Sequence, residues 1–260
     1  AVAFFRAESW DGTILPGVLF MTTKRLLILN GALALVLALL LLLIRATGAE
    51  GPPPSPAPGQ LLYATTFDAF NDEWGLYPGR KSAQVVGGEL QALIGVPHGG
   101  AFSPLDRLFG DFDMTLEAAQ LAGPDDNGYG VVFRHQDERH FYWFLVSGDG
   151  YYKVSRQHGD EVKTLTADWR PSQYINLGQA TNVIRVVGRG DHFTFFVNGH
   201  QLTDLCLGEH VVASTCAGGE LSDVLIDPAF PYGRVGVAAL SFSQPGVVIG
   251  FDNLVILGPE

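Results

Sequence analysis

The sequence predicts an all-β protein: an antiparallel sandwich built from residues 61–260, preceded by one apolar N-terminal segment. Three observations lead there. Apolar residues beyond Leu61 recur with period two, as on half-buried strands. Gly-rich and Asn-Gly turn sequences punctuate them at short intervals. No stretch in this part carries a helical apolar stripe of about ten residues or more.

Charge narrows the partners. The 260 residues include 16 Lys+Arg and 27 Asp+Glu, a formal charge of -11. Residues 50–260 hold 12 basic and 25 acidic side chains, a balance of -13. Nucleic acid is a poor match, because its affinity comes largely from neutralised phosphates. An anionic lipid surface is a poor match for the same domain.

Taken in order, residues 1–25 read as a short cytoplasmic segment without assigned function. Residues 26–44, LLILNGALALVLALLLLLI, contain no charge. At about 1.5 Å rise per residue that run approaches the hydrocarbon thickness of roughly 30 Å. Lys24 and Arg25 precede it, which predicts a single-pass signal anchor in the cell membrane with the C-terminal domain outside the cytoplasm. A cleaved signal peptide ending at Thr47-Gly48-Ala49 is the alternative. Residues 45–60 include GPPPSPAPGQ, where proline disfavours helix and sheet alike; they read as a Pro-rich, semi-rigid linker.

The strands follow. In DFDMTLEA, residues 111–118, Phe112, Met114, Leu116 and Ala118 share one face. Further strands are legible at 128–134, 140–146, 151–154, 182–187, 193–197, 235–240 and 248–256. Ser147-Gly148-Asp149-Gly150 and Gly188-Arg189-Gly190-Asp191 separate neighbours. Asn198-Gly199 predicts a two-residue type I′ hairpin, in which both central residues need positive φ.

Several blocks together resemble a known family. These are FDAF at 67–70, GYGVVFRHQDERHFYWFLVSGDGYYKV at 128–154, NVIRVVGRGDHFTFFVNGHQL at 182–202, GRVGVAA at 233–239 and FDNLVI at 251–256. The domain is similar to the concanavalin A-like lectin/glucanase jelly roll, in particular its laminin-G-like or 3-keto-disaccharide hydrolase type. That resemblance implies a jelly-roll sandwich, and a function among sugar-binding modules, glycoside hydrolases and extracellular domains. Residues 205–231 depart from the pattern, with Cys206 and Cys216 in an acidic insertion. Two readings stand for these cysteines: a disulfide closing a short loop, or two free thiols.

Catalytic motifs are absent from the sequence. The E-x-D-x-x-E pattern of jelly-roll glucanases does not occur, nor do H-E-x-x-H, G-x-S-x-G or a phosphate loop. No metal set is legible, and no cofactor is expected; Asp252-Asn253 leaves a calcium reading open. The aromatics are the stronger lead, because sugar rings pack their C–H faces on aromatic planes. Arg134, Tyr142, Trp143, Tyr151 and Tyr152 are the ligand-binding candidates. The expectation is a membrane-anchored, extracytoplasmic module without its own catalytic site, binding polysaccharide or a cell-surface glycan. The alternatives are a glycoside hydrolase-like enzyme and a structural ectodomain with a protein partner.

Overall fold

The computed structural model describes residues 30, 33–39, 51–69, 72–208, 212 and 215–260. The chain divides into two compact units, Ala1–Gly51 and Pro52–Glu260.

Within the first unit residues 30 and 33–39 are helical. No helix among the described residues is long and apolar enough to cross a membrane. This overturns the expected transmembrane signal anchor at 26–44, and with it the membrane partner and the single-pass membrane localisation. Residues 1–25 lie outside the described residues.

The second unit is an all-β antiparallel sandwich. Its back sheet has nine strands, ordered His200–Gln201, His192–Val197, Asn182–Arg189, Phe112–Ala122, Val247–Leu257, Glu89–Ile94 and Lys81–Val86. Leu61–Thr65 also pairs with Val247–Leu257, and Leu225–Ile226 with His192–Val197. The front sheet has seven strands, ordered Arg170–Pro171, Tyr151–His158, His140–Val146, Asn127–Asp137, Arg234–Ser241 and Gly100–Pro104. Its seventh strand, Glu161–Thr164, pairs with Tyr151–His158. Leu205–Leu207 and Glu220–Ser222 form a separate two-stranded ribbon.

Strand alternation decides what lies between the sheets. Phe112, Met114, Leu116 and Ala118 all turn inward and are at most 1% exposed. From the front sheet, Tyr129, Val131, Phe133, Tyr142, Phe144 and Val154 meet them in one core cluster. Phe133 lies 5.1 Å from Phe193, and Phe144 lies 4.9 Å from Phe195, so aromatic contacts tie the two sheets. At Asn198-Gly199 both residues have positive φ, 51° and 80°, as the hairpin requires.

Residues 51–60 do not trail away from the sandwich. Gly59 N–H donates to Gly258 O, and Gly258 N–H donates back to Gln60 O, each at 2.8 Å. Ala57 N–H is held by Gln60 Oε1 at 3.0 Å.

Candidate functional site

Three of the five ligand candidates are interior. Tyr142 and Tyr152 are fully buried, and each hydroxyl is engaged at the end of the core. Tyr142 donates to Asp227 Oδ1 at 2.6 Å, and Tyr152 to Asp204 Oδ1 at 3.2 Å. Burial, reinforced by the neighbouring carboxylates, pushes both phenols well above the usual tyrosine range. Both side chains therefore fill the sandwich, out of reach of a surface ligand.

Arg134 is interior for a less obvious reason. Simple alternation from Val132 would send it outward. A register irregularity follows Phe133, Arg134 takes φ 53°, and its side chain turns into the sandwich. There its guanidinium donates to the carbonyls of Phe109 (3.2 Å), Gly110 and Gly190 (2.9 Å). The group is fully buried, and burial lowers its pKa to about 10. It pins two end turns to the front sheet.

The bulge that draws Arg134 inward turns His135 outward, onto the outer face of the front sheet. A second apolar cluster lies on that face: Val132, Phe141, Leu145 and Ala238, with Phe102, Trp143, Trp169 and Leu240 packed against them. Trp143, the fourth candidate, is half-buried here. Its ring lies 6.1 Å from that of Phe102 at an interplanar angle of 24°, and 5.2 Å from Phe141. Phe102 sits on the edge strand Gly100–Pro104, whose backbone is steadied by Tyr77: Phe102 N–H donates to Tyr77 Oη at 3.0 Å.

Beside these rings opens a groove of about 710 Å³. Phe102 and Phe141 line it with Tyr77, Lys81, His135 and Arg234, and the turn residues Asp137 and Glu138 complete one rim. His135 stacks on Phe141 at 5.5 Å. Burial first, and then the Arg234 charge, hold its imidazole below the ordinary histidine pKa, so it is neutral at neutral pH. Arg234 donates to Asp106 at 2.9 Å, which fixes its guanidinium at the rim. Asp137 is held by Arg139 N–H and His140 Nδ1, each at 2.8 Å. The arrangement combines flat apolar rings with fixed donors and acceptors.

Tyr151, the fifth candidate, lies on the same outer face and is 37% exposed. It lines a smaller pocket of about 150 Å³ with Trp169, Phe242, Asn127 and Asp149.

The cysteines are joined: Cys206 and Cys216 form a disulfide with their Cα atoms 5.5 Å apart. From this insertion Leu205, Leu225 and Phe230 are buried in the main core, so it covers part of the sandwich. Among the described residues no group of three or more His, Cys, Asp or Glu is placed to hold a metal. At the calcium candidate, Asp252 Oδ1 accepts the Asn253 N–H at 2.7 Å, and Asn253 Nδ2 donates to Glu117 at 3.1 Å. Those atoms fix a bulge within strand Val247–Leu257, with Asn253 at φ 50°.

Sequence reasoning missed most of the groove. Phe141 was legible, because it shares strand parity with Trp143. Phe102, His135 and Arg234 come from three separate strands, and only the sheet order brings them together.

No family model matches the chain, and no curated protein matches it. Solved structures do. A carbohydrate-binding module, CBM66 from Bacillus subtilis, is 14% identical, with 71% of this chain covering 95% of that one at a TM-score of 0.50. A Bacillus subtilis protein of unknown function with a galectin-like fold is 9% identical (78% of this chain, 97% of that one, TM-score 0.52). The GH43 protein BlXynB from Bacillus licheniformis is 13% identical, and 75% of this chain covers 39% of it at a TM-score of 0.52. At these identities the likeness shows the fold alone: a β-sandwich of the kind that these structures share.

Proposed function

We propose that the Pro52–Glu260 domain binds carbohydrate on the outer face of its front sheet. The observation that carries this reading is the groove of about 710 Å³ beside the rings of Phe102, Phe141 and Trp143, with His135 and Arg234 at its margin. Sugars offer flat C–H faces and a rim of hydroxyls, and a mostly apolar cleft with a few fixed polar groups matches both. Part of the front sheet's outer face is apolar although its inner face already supplies the core. Val132, Phe141, Leu145 and Ala238 are buried there, and the half-buried rings of Phe102, Trp143 and Trp169 are what this face offers a ligand. The acidic balance of the domain favours neutral or cationic glycans over anionic ones.

The narrower sequence assignment, to the laminin-G-like or 3-keto-disaccharide hydrolase type, belongs to this proposal and rests on the spacing of the sequence blocks alone. A glycoside hydrolase is the second reading, favoured by Asp137 and Glu138 beside the groove. Hydrolysis needs two carboxyl groups flanking the bond, about 5–5.5 Å or 6.5–9.5 Å apart. Asp137 and Glu138 are sequence neighbours on one rim, which is a poor way to flank a bond.

Affinity electrophoresis against xylan, mixed-linkage β-glucan, levan and chitin tests the proposal. Retention is expected with at least one polymer, and Trp143→Ala should weaken it about tenfold or more while leaving the far-UV spectrum intact. Retention by none would end the carbohydrate reading. Release of reducing sugar, abolished by Glu138→Gln, would replace binding with hydrolysis.

A further inference from the structure

The outer face of the front sheet carries a second feature that the groove does not explain. Beyond Trp143 the apolar surface continues along strand His140–Val146 through Leu145 to Trp169. A Cβ on Gly128 would meet Trp169 Cη2 at 3.1 Å and Leu145 Cδ1 at 3.4 Å. The absence of a side chain there is therefore what lets the indole lie against the sheet. Phe242 meets Trp169 edge-on at 5.7 Å, and these two rings with Tyr151 line the smaller pocket of about 150 Å³.

That pocket is rigidly built on its polar side. Asn127 is fully buried at its base, with Nδ2 donating to Gln120 Oε1 and Pro124 O, both at 2.6 Å. The Ser147 hydroxyl donates to Asp149, so one acceptor at the pocket's margin is fixed in place. Lys153 Nζ, 2.7 Å from Asp168 and 6.0 Å from the Trp169 ring centre, holds the loop that presents the indole.

The two pockets sit at opposite ends of one strand. Phe141 lines the large groove and Ser147 lines the small pocket. Six residues of extended strand separate them, roughly 20 Å at about 3.3 Å per residue. Phe102, Trp143, Leu145 and Trp169 belong to one apolar cluster across that distance, with the Lys153–Asp168 pair beside its Trp169 end.

The geometry points to an extended binding strip, with Trp169, Tyr151 and Phe242 forming a distal subsite, so that the ligand is a run of several sugar units. A mono- or disaccharide would leave the distal rings empty. A longer chain would lie along the strand and engage both ends. This inference rests on the carbohydrate reading above, and it adds the size class of the ligand and three residues that determine it.

Length dependence of binding is the decisive measurement. For whichever of the four polymers is retained, calorimetric titration of the full chain with its oligosaccharides, from disaccharide to hexasaccharide, should show affinity rising at least tenfold across the series. Trp169→Ala should lower hexasaccharide affinity about tenfold and flatten the dependence on length. Tyr151→Ala, at an exposed position, should do the same more weakly; it serves as the arm in which folding is not at risk. A disaccharide that binds as tightly as its hexasaccharide would overturn the distal subsite and leave the carbohydrate reading standing. So would hexasaccharide affinity untouched by both substitutions. If no polymer is retained at all, the carbohydrate reading fails, and the distal subsite fails with it.

Discussion

Asp227 shows how one side chain can hold an end of the sandwich. It accepts from Tyr142 Oη and Arg156 at 2.6 Å each, and from Ala229 N–H at 3.0 Å. Burial alone would raise its pKa; the hydrogen bonds from Tyr142, Ala229 and Arg156 outweigh burial and hold the carboxyl below the usual range. Its neighbour Phe230 packs 5.2 Å from Tyr142 and edge-on to His140 and His158. Asp227→Asn would leave Arg156 and Tyr142 half-satisfied in a buried setting, a loss of about 3 kcal/mol at pH 7. A carboxyl with a depressed folded pKa contributes stability above its unfolded pKa of about 4, and loses it as pH falls through the folded value. Urea denaturation at pH 7 and pH 3 checks both parts: the gap between wild type and Asp227→Asn should narrow at the lower pH. A gap that widens there would reverse the assignment of charge to Asp227.

At the level of elements, the edge strand Gly100–Pro104 links packing to the site. It lies against Arg234–Ser241, where Gly236 pairs with Pro104. A Cβ at Gly236 would stand 2.4 Å from Ser103 O and 2.6 Å from Pro104 Cα, closer than any backbone contact tolerates. Gly236→Ala should therefore push the edge strand outward and cost about 1–3 kcal/mol. Phe102 rides on that strand, so glycan retention should fall together with the thermal midpoint. A stability loss with full retention would mean that Phe102 is no part of the floor.

The same scale shows how much of the site was legible in sequence. Period two identified strands at 111–118 and 140–146, and it also contained a warning: Tyr142 and Trp143 are adjacent, as are Tyr151 and Tyr152, so only one of each pair can face a groove. Trp143 and Tyr151 face outward, and the other two are core. Arg134 broke that parity through a bulge, which hydrophobic patterning does not encode. The hairpin joining Lys81–Val86 to Glu89–Ile94 had a readable signal in Gly87-Gly88, at φ 63° and 88°, between two apolar runs. The anchor expected at 26–44 is overturned on the described residues alone, among which no helix is long and apolar enough to cross a membrane.

For the whole domain, the insertion at 205–231 is where chain topology and stability meet. Cys206 O accepts the Ala167 N–H at 2.6 Å, and Asp204 is bound by Arg170 at 3.1 Å and by Tyr152. The start of the insertion is thus tied to the segment around Ala167 and Arg170 and to Tyr152, while its disulfide closes it on itself. Closing a loop of this length stabilises by about 2.5–3 kcal/mol in the chain-entropy account. Cys206→Ser/Cys216→Ser should lower the thermal midpoint by several degrees and leave a folded sandwich, read from the amide region of a proton–nitrogen correlation spectrum. Collapse of that spectrum would make the bridge indispensable to the core at this end.

The sequence by itself determined the sandwich class, eight of the strands, the Asn198-Gly199 hairpin and the acidic balance that disfavours nucleic acid. All of these follow from information local along the chain: alternation, turn residues and charge. Tertiary structure alone decided which face of each front strand meets solvent, and that Arg134 turns inward. It also brought Phe102, Trp143, Trp169 and His135, from distant segments, onto one surface. The physical reason is that a strand fixes the relation between its own neighbours but not the identity of the strands beside it. Antiparallel pairing of Gly100–Pro104 and Asn127–Asp137 with Arg234–Ser241 is a contact across more than a hundred residues, and it is written in packing and not in period.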